Sequence, residues 1–265
     1  MPNTPQVLVF DTAFHQSMPK EAYTYGVSYD MYEKYGIRRY GMHGTSHRYV
    51  SGEMIKLMGG DANGKKIVTC HIGNGSSITA VKDGKCVDTS MGFTPLDGIL
   101  MGTRCGSIDP AIVPFIMEKR GLTAKEMDNY MNKQCGFAGI SGVGSDSRDV
   151  ERAMKEGNER AKLAFDTLCY QIKKYIGSYS AAMGGLDAIV FTAGIGEHTP
   201  YIRENALVGL EYLGVKLDRE RNTFGHSSTP VKLSADDSRV LVYMIPTNEE
   251  LVIARDTAEI VSKIK

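Results

Sequence analysis

Three short runs of consecutive apolar residues constrain this chain most: Gln6–Phe10 (QVLVF), Ala188–Thr192 (AIVFT) and Val240–Ile245 (VLVYMI). A strand with one wet face alternates apolar and polar residues, whereas an unbroken run of four to six is expected where both faces are covered. Between these runs lie segments with helical spacing. The longest, Asn158–Met183, repeats apolar residues every three or four positions (Ala161, Ala164, Phe165, Leu168, Ile172, Tyr175, Ile176, Tyr179) and stops at Gly184-Gly185. Further helices are expected from Thr45 or Ser46, as cap, to Met58; over Ala111–Glu118 and Ala124–Lys133; and from Pro200 to Leu210. A final helix should open at Thr247, with Glu250 three residues on as a capping box. Lys66–His71, Ser77–Val81 and Lys85–Thr89 read as a β region, with Asp83-Gly84 as a hairpin turn. Buried strands alternating with helices predict an α/β fold.

Composition narrows the function classes. The chain has 31 basic and 31 acidic residues and a formal net charge of +0, so it lacks the basic excess of a nucleic-acid binder. No apolar run approaches the roughly 20 residues that span a bilayer, and MPNTPQVLVFDTAF lacks the basic and apolar regions of a signal peptide. A cytoplasmic protein without nucleic-acid or membrane partners is expected. The five cysteines are odd in number, widely spaced and without CxxC, which points to reduced thiols rather than a disulfide framework or a zinc site.

Several loops carry chemistry. His71-Ile72-Gly73-Asn74-Gly75-Ser76-Ser77 sits between two expected strands, where glycines let backbone N–H groups approach an anion; the same heptamer also reads as an ordinary hairpin turn. Ala193-Gly194-Ile195-Gly196-Glu197-His198 leaves a buried strand as a turn before a helix, which is where α/β proteins bind ligands. Thr199 stands where a dinucleotide fingerprint needs its third glycine. Gly59–Lys66 (GGDANGKK) mimics a P-loop, but it ends in Lys66 instead of Ser or Thr and precedes a strand, so a helix-to-strand turn is the better reading. Arg104, flanked by glycines in MGTRCGSIDP, can present its planar fork to a carboxylate or phosphate, or can be a surface arginine. His43 and His47 have the spacing of metal ligands, but they straddle a helix start without a third ligand, which argues against metal. Asp11 and Glu249 follow expected strands and could hold a magnesium ion, directly or through water.

Taken together these strings resemble the acetokinase family, the acetate kinases, within the acetate and sugar kinase/Hsc70/actin superfamily. The matching segments are VFDTAFH (Val9–His15), YGMHGTSH (Tyr40–His47), CHIGNGSSITAV (Cys70–Val81), TSMGFTPLDG (Thr89–Gly98), MGTRCGSIDP (Met101–Pro110), SDSRD (Ser145–Asp149), FTAGIGE (Phe191–Glu197) and IPTNEEL (Ile245–Leu251), in order along the chain. The resemblance implies an α/β, ribonuclease H-like (actin-like ATPase) fold. It implies a reversible phosphoryl transfer between ATP and acetate giving ADP and acetyl phosphate, with Mg²⁺ (or Mn²⁺), in a homodimer. Propionate or butyrate kinase, or a nucleotide-binding and dimerising fragment, is the alternative. By the same resemblance Asp11 is the active-site aspartate, and His43 and Arg104 stabilise the transition state. His71, Ile72, Gly73, Asn74 and Gly75 bind phosphate. Asp146, Ser147, Arg148, Gly194, Ile195, Gly196, Glu197 and His198 lie at the adenosine, and Glu249 is the metal ligand. Family members also carry an earlier Asn-Ala-Gly-Ser-Ser-Ser loop and an acetate-contacting arginine that this sequence lacks. The chain therefore reads as the C-terminal two-thirds of such a kinase, with impaired activity expected alone. Residues 1–12 are expected to be a remnant strand, 13–250 the nucleotide-binding domain, and 251–265 a helix left short of its packing partner.

Overall fold

A computed structural model describes residues 4–223 and 227–264. Its sheet is built outward from β1 (Lys66–Ile72). An antiparallel meander, β2 (Ser76–Lys82) and β3 (Lys85–Thr89), lies on one side, and the parallel strand β4 (Ala188–Thr192) on the other. The two-residue β5 (Val231–Lys232) and the longer β6 (Leu241–Met244) complete the order β3-β2-β1-β4-β6-β5, with β6 parallel to β4. Asp83 and Gly84 both take positive φ (54° and 74°), the primed turn that their sequence predicts between β2 and β3.

The helices are α1 (Lys20–Tyr23), α2 (Tyr29–Tyr35), α3 (Gly44–Leu57), α4 (Ile112–Arg120), α5 (Ala124–Lys133) and α6 (Gly136–Ser141) in the first half. The second half has α7 (Ser147–Lys155), α8 (Glu159–Met183), α9 (Ala193–His198), α10 (Pro200–Leu207) and α11 (Glu249–Ser262). The stripe of α8 is buried as its periodicity predicts, with Asn158 capping its start and Gly184 left-handed at its end. With residues of α6, α7 and α10 it covers one sheet face, formed by Val68, Cys70, Ile72, Ile189, Phe191 and Val242. Val50 and Met54 of α3 cover the other, over Ile67, Val81, Ala188, Val190 and Ile245. Covering both faces explains why β4 is buried at every position and apolar up to Thr192.

Five expectations need correction. Gln6–Phe10 is not a strand: no described strand pairs with it, and Leu8 and Phe10 are 77% and 64% exposed. Neither Thr45 nor Ser46 caps α3; the helix begins at Gly44, behind a left-handed His43. The AGIGE segment is a short helix, α9, instead of a turn, and the following helix stops at Leu207. The cap of α11 is Asn248, which accepts from the Leu251 N–H at 3.0 Å, because the Thr247 hydroxyl is committed to Ser46 Oγ at 2.8 Å.

Helix α11 is thinly held. Val252 is its one buried residue, Arg48 pairs with Asp256, and Ile253 and Ile260 stay 42% and 46% exposed. Hydrogen exchange should therefore show the α11 amides beyond Val252 opening far faster than those of β4. Equal protection in the two elements would contradict this.

Candidate functional site

The parallel register of β1, β4 and β6 (His71 opposite Thr192, Phe191 opposite Met244) brings three strand exits to one edge of the sheet. Ligands bind α/β sheets at such carboxyl ends. The β1 exit is the turn Gly73–Gly75. It is closed by the Gly73 N–H donating to the Gly75 carbonyl and by Ser76 Oγ donating to the Gly73 carbonyl, at 3.2 and 2.9 Å. Its far side is tied to the arginine loop, where the Gly102 N–H donates to the Asn74 carbonyl at 3.1 Å. A Cβ on Gly102 would lie 2.0 Å from Asn74 Oδ1, so any larger residue there would push the Asn74 amide out of its place.

On one side of that turn is an open cleft of about 820 Å³, lined by Gly73, Asn74, Ser145–Arg148, Glu151, Gly194, Ile195, His198 and Thr199. That is the size of a small-molecule site. Asp146 caps α7 and grips Arg148 with both carboxylate oxygens, at 3.0 and 2.6 Å. The Arg148 hydrogen bonds hold its carboxyl down at about 2. On the other side of the turn, His43 and Arg104 converge. A Cβ at Gly75 would sit 3.4 Å from both His43 Nε2 and Arg104 Nη1. Arg104 is steadied by the Pro95 carbonyl at 3.2 Å. His43 is the left-handed residue before α3 (φ 56°), stacked on His71 at 4.1 Å. Burial drives the His43 pKa down to about 4, with the Asp11 charge opposing and Arg104 adding to the fall, so the ring is neutral at pH 7.

Asp11 reaches this corner through the backbone. The Gly44 N–H donates to its carbonyl at 2.8 Å, and Thr45 Oγ1 donates to its carboxylate at 3.3 Å. A Cβ on Gly44 would stand 2.1 Å from that carbonyl oxygen. Glu249, half-buried at the start of α11, has its pKa raised by burial and then by the Asp11 charge, so the two carboxylates face one field. Among the described residues no group of three or more His, Cys, Asp or Glu could hold a metal. No described helix is long and apolar enough to cross a membrane.

Not every expected residue lines the cleft. Ile72 is fully buried core, and His71 turns inward, its Nδ1 2.8 Å from Ser46 Oγ. Gly196 is buried, and the Glu197 carboxylate faces away from the cleft. It accepts from the Ala193 N–H at 2.8 Å, Thr192 Oγ1 at 3.3 Å and the Thr247 N–H at 3.4 Å, which latches the exits of β4 and β6 together. It also holds Ala193 at φ 65°. Arg203, which carries no motif, is 1% exposed and donates to the carbonyls of Gly196 and Glu197 at 2.9 and 2.7 Å. Only the fold shows that it props the loop.

The sequence profile of the acetokinase family matches residues 1–255. The chain belongs to the acetokinase family. It is 59% identical over 98% of its length to the acetate kinase of Halothermothrix orenii, and spans 65% of that protein. The structure overlays the Porphyromonas gingivalis acetate kinase with a TM-score of 0.93 at 48% identity, covering 96% of this chain and 63% of that one. A propionate kinase from Francisella tularensis gives 0.89 at 44%, covering 96% and 64%. The fold is thus the actin-like ATPase fold of the acetokinase family, and the chain spans about two-thirds of the length of its relatives.

Replacing Arg203 by Met should strand buried carbonyls and lower stability by about 3 kcal/mol in denaturant unfolding. An unchanged midpoint would show that the guanidinium does not prop the loop.

Proposed function

We propose that this chain carries the nucleotide side and the phosphoryl-transfer corner of an acetate kinase, ATP and acetate giving ADP and acetyl phosphate. One observation carries the reading: His43 Nε2 and Arg104 Nη1 converge beside Gly75, in the same turn whose Gly73 and Asn74 line a nucleoside-sized cleft. In this reading adenosine lies in the cleft along Asp146–Arg148 and Gly194–Ile195, with His198 at its rim. The phosphate chain runs past Gly73–Gly75 to the His43–Arg104 corner, where a guanidinium and a neutral imidazole meet developing negative charge.

Asp11 and Glu249 are the residues that would hold Mg²⁺. Two carboxylates in one field fit an ion that takes one or two protein carboxylates and fills its shell with water and substrate phosphate. When bound, the ion offsets charge on the phosphate oxygens. Mn²⁺ suits the same donors. The attacking carboxylate, with a pKa near 4, is already ionised at neutral pH and needs no general base. Asp11 would therefore serve by holding the metal and its waters rather than by taking a proton. Acetate and propionate differ by one methylene, worth about 1–3 kcal/mol of discrimination. A homodimer and a cytoplasmic setting belong to the same reading and rest on the family resemblance.

Calorimetry with MgADP and MgATP, beside an acyl phosphate assay with acetate and with propionate, tests the proposal. Nucleotide binding is expected, with acetate preferred in any turnover. Arg104→Lys should lower kcat about 10²- to 10³-fold, as loss of a transition-state donor does. Failure to bind either nucleotide would overturn the reading, and full activity of Asp11→Asn across a magnesium titration would overturn the role given to Asp11.

A further inference from the structure

Behind His43 runs a buried line of hydrogen bonds that the reaction itself does not use. His43 Nδ1 lies 2.8 Å from Ser77 Oγ, Ser77 Oγ lies 2.7 Å from His47 Nε2, and His47 Nδ1 lies 2.7 Å from Thr69 Oγ1. Thr69 Oγ1 has one further outlet, the Thr79 carbonyl at 3.4 Å. His47, Ser77 and Thr69 are all fully buried. Burial keeps His47 well below its ordinary pKa, with the neighbouring His15, His71 and His43 adding to the fall, so both linked rings are neutral.

A neutral imidazole carries one N–H, and a hydroxyl carries one proton. If Ser77 accepted from both rings, its own buried proton would have no acceptor, which native interiors avoid. Two arrangements remain. In the first, Ser77 donates to His47 Nε2 and accepts from the His43 Nδ1–H. His47 Nδ1–H then donates to Thr69, which donates on to the Thr79 carbonyl, and His43 Nε2 presents a lone pair to the site. In the second, the three bonds linking Thr69, His47, Ser77 and His43 reverse, and Thr69 gives up the Thr79 carbonyl. Thr69 donates to His47 Nδ1, His47 Nε2–H to Ser77, and Ser77 to His43 Nδ1, so His43 Nε2 presents an N–H. The two differ in no net charge.

We propose that Thr69, His47 and Ser77 form a reversible relay that forces His43 and His47 to share one tautomer, and that an anion at Arg104 turns both to the Nε2–H form. Ser77, His47 and Thr69 are positioning residues; His43 alone faces the phosphoryl group. Without an anion the guanidinium of Arg104, which shares the Gly75 corner with Nε2, favours the lone pair. A phosphoryl oxygen there favours the N–H. His43 thus becomes a donor to the transferring group without taking up a proton from solvent, which burial would resist. This anion response rests on the phosphoryl-transfer reading above; the coupling of the two tautomers does not.

The test is a long-range proton–nitrogen NMR spectrum of the whole chain with ¹⁵N-labelled histidine, recorded alone and with inorganic phosphate plus MgADP. Single His→Gln variants at other positions assign the rings. His43 and His47 should show the same tautomer in each spectrum, and both should carry Nε2–H once phosphate is present. Ser77→Ala should uncouple them, so that phosphate no longer alters His47. Ser77→Thr, which keeps the hydroxyl, should restore the joint response. Opposite tautomers in the native chain would overturn the relay, as would a response of His47 that survives in Ser77→Ala. Shared tautomers that ignore phosphate would leave the relay standing and overturn the anion response with the site reading beneath it. None of these readouts requires turnover.

Discussion

Everything at the candidate site depends on the parallel pairing of β1, β4 and β6. The register brings Ile72, Thr192 and Met244 to one edge, so three separate chain segments leave the sheet within reach of one another. Buried polar groups then stitch the exits together. Glu197 joins the ends of β4 and β6 through Thr192, Ala193 and Thr247. Thr247 continues to Ser46 on α3, and Ser46 to His71 at the end of β1. In a low-dielectric interior each such bond is strong, and each unmade partner is costly. The edge therefore behaves as one cross-linked unit, not as three loops.

That rigidity is what allows strain to persist. His43 and Ala193 are non-glycine residues at positive φ (56° and 65°), each costing of order 1–3 kcal/mol, and both stand at this edge. Ala193 is held by the Glu197 carboxylate four residues on. His43 is held from three directions, by Ser77, by stacking on His71, and by Gly44 packed against the Asp11 carbonyl. The third strained residue, Asp83, sits in a hairpin turn where such geometry is ordinary.

The elements that were legible in the sequence are those whose environment is uniform. β4 is covered on both faces and reads as an unbroken apolar run; α8 faces one core and reads as a stripe. Gln6–Phe10 carries the same apolar signature as β4, yet a strand needs a partner as well as a pattern, and none of the described strands supplies one. The capping box expected at Thr247 failed because a hydroxyl from a distant segment, Ser46, competed for the threonine. Similarity of motif pointed to Asp11, His43, Arg104 and Glu249; the fold brings His43 and Arg104 together beside Gly75, with the Asp11 charge felt at both His43 and Glu249. It could not distinguish residues that face the cleft from those that brace it. Ile72, Gly196 and Glu197 lie within the right strings but point into the protein. Arg203 and Thr69 carry no signal, and Ser77 reads in its heptamer as an anion donor instead of a link between two histidines, since their work consists of contacts across 6 to 34 residues of chain.

The two halves of the site are not equally anchored. The cleft and the His43–Arg104 corner hang from the sheet edge, with Ser77 and Thr192 fully buried and His71 partly buried beneath them. Asp11 hangs from one backbone bond to Gly44 and one weak bond from Thr45, at the end of a segment whose Leu8 and Phe10 side chains lie in water. Glu249 opens α11, which itself buries one side chain. Electrostatic catalysis depends on groups being fixed before charge develops, because reorganising them consumes the energy they would supply. On the proposed reading, the groups that bind nucleotide are therefore preorganised in this chain, whereas the carboxylates that would hold the metal are not. On that reading nucleotide binding and phosphoryl transfer rest on different parts of the structure, the first on the sheet edge and the second on the thinly held Asp11 and Glu249 segments.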